Sequence, residues 1–109
     1  MQFLQTLSRA ETILAQSGIV VVARVWDARR ALDIAIRCVN CSVANIRCVW
    51  RATAQDYRAL RTITSEGDFD RAILVYSDKE SLVLSDEIET WHIDDIEHLV
   101  ARLAAEPLA

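Results

Sequence analysis

The chain has 109 residues, 52% hydrophobic, 26% charged and 6% aromatic, a composition that fits one globular domain and excludes a fibrous, low-complexity or two-domain chain. Its net charge of −4 conceals a split: residues 1–64 carry nine arginines against Glu11, Asp27, Asp33 and Asp56, a balance of +5, and residues 65–109 carry Arg71, Lys79 and Arg102 against twelve acids, a balance of −9. No run of 18 apolar residues exists to span a membrane, and three cysteines, Cys38, Cys41 and Cys48, are an odd count that does not fit a secreted disulfide framework and points to the cytoplasm.

In chain order, Phe3, Leu4, Leu7, Ala10, Ile13 and Leu14 recur at helical spacing, which predicts an amphipathic helix over residues 2–16 that Gly18 ends. Residues 19–26 are β-branched and almost continuously apolar, the pattern of a strand buried on both faces. Residues 31–38 allow helix by their Ala and Leu content, but Ile34, Ile36 and Cys38 alternate with Asp33, Ala35 and Arg37, and a strand is expected. Residues 43–50 form a third strand, with Ile46 and Cys48 on one face and Arg47 and Val49 on the other.

Thr53 caps a helix carrying Asp56 in its first turn and Tyr57, Leu60 and Ile63 on its apolar stripe, closed by Gly67. Residues 72–76 are a buried strand and residues 88–93 a short alternating one. Asp94 or Asp95 then caps a last helix that turns Ile96, Leu99, Val100 and Leu103 inward. The expectation is a single α/β domain over residues 1–109: a central mixed sheet of about five strands with helices on its faces, in the order αβββαββα.

This order resembles the restriction endonuclease-like superfamily, the PD-(D/E)xK nucleases, especially the Mrr-type and Holliday-junction-resolvase branches. Three segments carry the resemblance: Glu11-x3-Ala15-x2-Gly18 at the end of the first helix, Leu32-Asp33-Ile34-Ala35 on the second strand, and Phe69-Asp70-Arg71-Ala72-Ile73-Leu74-Val75 leading the late strand. In that family a first-helix glutamate, a second-strand aspartate and a third-strand (E/D/Q)-x-K pair hold a divalent metal and activate water. The resemblance implies Glu11 and Asp33 as catalytic and metal-ligating candidates, with Mg²⁺ the cofactor of an active nuclease and no cofactor otherwise.

The third position departs from the pattern. Arg47-Cys48-Val49 or Val49-Trp50-Arg51, depending on register, stands where Glu-x-Lys belongs. Neither holds a carboxylate, and the one lysine, Lys79, lies far along the chain. Arginine stays protonated and is a poor general base. An active site would need another acid, such as Asp56 or Glu66.

Glu11 and Asp33 also have plain readings, a surface acid of the helix and a strand-face acid paired to Arg47 or Arg37, and so do the remaining chemistry-bearing residues. Cys38-x2-Cys41 has the spacing of half a zinc or redox site that Cys48, His92 or His98 would have to complete, whereas Cys48 alternating with Ile46 reads as a core thiol. Trp26, Trp50 and Trp91 read first as covering core edges and second as base-stacking platforms, and His92 and His98 read as surface residues. No glycine-rich loop supports a P-loop or dinucleotide site.

The expected function is therefore a nuclease-like DNA-interacting protein without cleavage activity, with Arg29, Arg30, Arg47 and Arg51 as phosphate contacts. The alternatives are an active structure-specific endonuclease and a small protein-interaction module of the immunity or antitoxin kind, engaged through the acidic second half. A homodimer is expected in addition, and no membrane partner.

Overall fold

The computed structural model describes residues 2–28, 30–38, 42–67 and 69–105. Helix α1 (Gln2–Gln16) is followed by three strands, β1 (Val20–Asp27), β2 (Ala31–Arg37) and β3 (Val43–Val49), then α2 (Ala54–Ser65), β4 (Arg71–Tyr76), β5 (Glu89–His92), a 3₁₀ turn over Ile93–Asp95 and α3 (Ile96–Ala105). The strands form one sheet in chain order. β1, β2 and β3 are an antiparallel meander, and β4 and β5 add parallel to β3. The result is the α/β class expected, a five-stranded mixed sheet with helices on both faces. No described helix is long and apolar enough to cross a membrane.

Alternation along the strands assigns the faces. Leu32, Ile34 and Ile36 of β2 and Ala44, Ile46 and Cys48 of β3 point toward α1 and α3. There they join Leu7, Leu14, Ile73, Val75, Leu99, Val100 and Leu103 in the larger core. The alternate residues, Ala31, Asp33 and Ala35 of β2 and Asn45, Arg47 and Val49 of β3, face α2. A smaller core of Ala31, Val49, Ala52, Tyr57, Leu60, Leu74 and Ile88 fills part of that face. This pairing settles the helix-or-strand ambiguity of residues 31–38, because β2 is hydrogen-bonded on both flanks.

Helix ends follow local chemistry. Gly18 takes φ 79° after α1, and the Ile19 N–H donates to the Leu14 carbonyl at 3.1 Å, the Schellman closure that lets buried Ile19 lead into β1. Thr53 precedes α2, and its N–H donates to the Asp56 carboxylate at 2.8 Å. The last helix departs from expectation. His92, not Asp94 or Asp95, caps the 3₁₀ turn, its Nδ1 accepting from the Asp94 N–H at 3.1 Å. The ring is half-buried, not a surface group, and Nε2 lies 3.0 Å from the Ser77 carbonyl.

The parallel step from β4 to β5 runs through residues 77–88, which lie along α2. Tyr57 fastens this connection: its hydroxyl donates to the Leu82 carbonyl at 2.6 Å and accepts from the Leu84 N–H at 2.9 Å. Tyr57→Phe keeps the ring and strands both partners. It is expected to lower stability by about 1–2 kcal/mol, read as a lower urea midpoint at unchanged m-value.

β1 reverses one expectation. Its unbroken apolar run reads as a strand buried on both sides, yet β1 is the outermost strand of the sheet and most of its residues are exposed. A run of valines looks alike in a central strand and in an edge strand whose neighbour is absent. Trp26 and Trp50, expected over core edges, are likewise exposed, whereas Trp91 is half-buried beneath the Arg102 guanidinium, 5.6 Å from its ring centroid.

Candidate functional site: an arginine held by three aspartates

Asp33 lies opposite Arg47 in the β2–β3 register, and Ala35 opposite Asn45. Asp33, Asn45 and Arg47 therefore share the α2 face and touch: Asn45 Nδ2 donates to Asp33 Oδ1 at 3.1 Å and Arg47 Nη1 to Asp33 Oδ2 at 2.8 Å. Arg47 also sends Nη2 to Asp27 Oδ2 at the end of β1, 2.7 Å, and Nε to Asp56 Oδ1 in the first turn of α2, 3.0 Å. Its side chain is 2% exposed and that of Asp56 0%.

Arg30 completes the network by gripping Asp56 with both terminal nitrogens, at 2.7 and 3.0 Å. It follows the tight β1–β2 turn, in which Ala28 adopts the left-handed φ of 51° and the Arg30 N–H donates to the Asp27 carbonyl at 3.0 Å. Two guanidinium groups thus meet three carboxylates, and every Asp56 oxygen accepts at least two hydrogen bonds. Burial alone pushes the Asp56 carboxyl up. The bonds from Arg30, the Thr53 N–H and Arg47 outweigh it and hold the group below its ordinary value. Burial also works against the Arg47 charge, but its bonds to Asp27 and Asp56 and the charges of Asp33 and Asp56 raise its pKa.

The sequence-derived candidates separate in space. Glu11 lies on α1, on the opposite face of the sheet from Asp33, with Arg24 Nε 2.7 Å from its Oε1. Arg51 is half-exposed and clamped to Asp78, Nε to Oδ2 at 2.8 Å, with Glu80 3.1 Å away. Arg30 and Arg47 belong to the aspartate network, and Arg29 lies outside the described residues. Arg30 Nη2 comes within 3.5 Å of the Arg51 carbonyl oxygen, so the β1–β2 turn and the exit of β3 meet at one end of the sheet.

The donor set does not suit Mg²⁺. Asp33 has one oxygen on Arg47 and the other on Asn45, and a buried cation already occupies the place between the three carboxylates. Among the described residues, no group of three or more His, Cys, Asp or Glu is arranged to hold a metal ion. Cys48 is buried, and burial first, then the charges of Asp33 and Glu11, push its thiol up to about 12, so it stays protonated at neutral pH. Cys38 is buried as well, and Cys41 lies outside the described residues.

Sequence reasoning did not single out Asn45 or Asp27, and it placed Asp56 in the first turn of a helix and named it, with Glu66, as an acid an active site would need. A signal for Asn45 was present: Asn45 and Arg47 are the two polar residues alternating with Ala44, Ile46 and Cys48 in an otherwise apolar strand. The chain matches no family model, no curated protein and no solved structure.

Proposed function

We propose that this protein is a nuclease-like DNA-interacting domain that binds without cutting. The observation that carries the reading is the trio Asp33, Asn45 and Arg47. An aspartate on the second strand faces an x-separated pair on the third, the layout the resemblance implies. The pair in contact with it is Asn45-Ile46-Arg47 rather than either register expected from the sequence, Arg47-Cys48-Val49 or Val49-Trp50-Arg51, so that Asn45 stands where a carboxylate would be and Arg47 where the lysine would be. Each exchange removes a function. Asn45 brings no negative charge to a metal, and the Arg47 guanidinium neither gives up its proton nor leaves room for a cation.

Binding is supported by the end of the sheet at which β1 and β3 finish. Trp50 and Arg51, consecutive residues at the exit of β3, are both exposed there, offering a ring to a base and a guanidinium to a phosphate. Arg51 is the phosphate contact of choice, because its side chain is half-exposed and its outer partner Glu80 is a surface acid that it can exchange for phosphate, whereas Arg47 is sealed inside.

Fluorescence anisotropy with labelled duplex, single-stranded and four-way-junction DNA tests this reading. Binding is expected at low salt, weakening as salt rises and falling in Arg51→Ala on every sequence alike. The same DNA incubated with Mg²⁺ or Mn²⁺ is expected to remain uncut. A folded protein that shifts no DNA at low salt sinks the DNA reading, and metal-dependent cutting lost in Asp33→Ala sinks the non-cleaving one. The protein-interaction alternative draws on a different observation, the exposed apolar edge of β1.

A further inference from the structure

β1 is long and apolar, and among the described residues it is paired on one flank alone. Val20, Val22, Val25 and Trp26 are 58%, 56%, 60% and 44% exposed. Together they leave on the order of 400 Å² of side chain in water, as large as the biggest patch of a typical monomer and about half of what each partner buries in a standard interface. Edge strands are ordinarily protected by lysine, proline, shortness or distortion. β1 has eight residues and neither lysine nor proline; its one charged side chain before the terminal Asp27 is Arg24, tied down to Glu11. Distortion is confined to a bulge between Val21 and Ala23, which leaves residues 23–27 as a regular run whose outer backbone groups face no described strand.

We infer that this edge pairs with the same edge of a second copy, antiparallel about a two-fold axis through Val25, to make one continuous ten-stranded sheet. The inference is independent of DNA binding. Symmetry and side-chain chemistry select the register. A two-fold axis perpendicular to the sheet keeps each face on its own side, so cross-strand neighbours must come from the same face. Arg24 and Trp26 lie opposite Ile34 and Leu32, on the α1 face, and Ala23, Val25 and Asp27 lie opposite Ala35, Asp33 and Ala31, on the α2 face.

Three axes within residues 23–27 meet this condition with more than one residue pair. An axis through Arg24 sets two arginines directly opposite each other, which is repulsive. An axis through Trp26 pairs three residues only. An axis through Val25 pairs all five: valine meets valine at the centre, and each Arg24 lies across from the partner's Trp26, a guanidinium over an indole, twice. Val22 then falls opposite the partner's tight turn at Ala28, so a second exposed valine is covered. A second copy is the occupant because the edge complements itself in this register.

Sedimentation equilibrium of the full chain is expected to give a dimer. Val25→Lys, which sets two ammonium groups face to face at a site 60% exposed in the monomer, is expected to give a folded monomer with unchanged circular dichroism. Trp26→Ala is expected to weaken the dimer by about tenfold. Cysteine cross-linking reads the register. In a Cys41→Ser background, Val25→Cys is expected to form a disulfide-linked dimer on mild oxidation, because opposed Cα atoms of antiparallel strands are about 4.5–5.5 Å apart, within disulfide reach. Val20→Cys, far from the axis, is not. A chain that stays monomeric overturns the inference. So does a dimer that Val25→Lys leaves intact, or Val20→Cys cross-linking as readily as Val25→Cys.

Discussion

Arg47→Ala is expected to lower the unfolding free energy by about 3–5 kcal/mol, a large share of the roughly 5–15 kcal/mol that holds a domain of this size together. The loss is not the worth of three ion pairs. It is the cost of leaving carboxylates behind in a place shaped for a cation: Asp56, fully buried, keeps Arg30 but loses the Nε donor, Asp33 loses its charged partner and keeps Asn45, and Asp27 swings to water. Arg47→Lys is expected to fall between, because one ammonium cannot reach three carboxylates in three directions as a planar guanidinium does. In an Asp56→Ala background the Arg47→Ala penalty is expected to shrink by more than 1 kcal/mol, since the pair acts as a unit. Urea titration of the four proteins measures this. Equal losses for Arg47→Ala with and without Asp56 would show that the network is not coupled.

The same network explains which parts of the molecule were legible in the sequence. β2 could be read because Leu32, Ile34 and Ile36 alternate with smaller or polar residues, and period two is a local property. The helices could be read from their stripes and from Gly18 and Gly67, which close α1 and α2 in left-handed conformations. Of the site, only the pairing of strand-face Asp33 with Arg47 or Arg37 could be expected from the sequence, and the first of these is found. Arg47 meets Asp33 only through the β2–β3 register, Asp27 only through the β1–β2 turn, and Asp56 only because α2 crosses back over the sheet. Neither of the last two juxtapositions is written in the spacing of neighbouring residues. β1 failed for a different reason: an apolar run specifies a strand, but whether that strand is central or outermost depends on its neighbours in the sheet, which local spacing does not record.

Stability is expected to fall at both ends of the pH scale, for two opposite reasons that the structure locates. The folded state holds the Asp56 carboxyl below its ordinary value, so its contribution is complete above the unfolded pKa of about 4 and is lost as pH falls below that through the lower folded-state value. Protonation there removes the counter-charge of Arg30 and Arg47 at a fully buried carboxylate, so the acid limb should be steep in the parent. In Asp56→Asn, which is less stable at neutral pH, it should be shallower. Cys48 acts at the alkaline end with the reverse sign. Its thiol is raised to about 12 in the folded protein, so its contribution is complete below the unfolded value and is lost as pH rises toward the folded one. Across that window the decline is about 1.4 kcal/mol per pH unit, because the unfolded chain ionises and the buried thiol does not. Cys48→Ala is expected to lose core packing at neutral pH yet flatten the alkaline limb, and urea midpoints taken between pH 3 and 11 separate the two effects. An acid limb unchanged in Asp56→Asn, or an alkaline limb unchanged in Cys48→Ala, would mean that other groups govern the stability of the fold at that end.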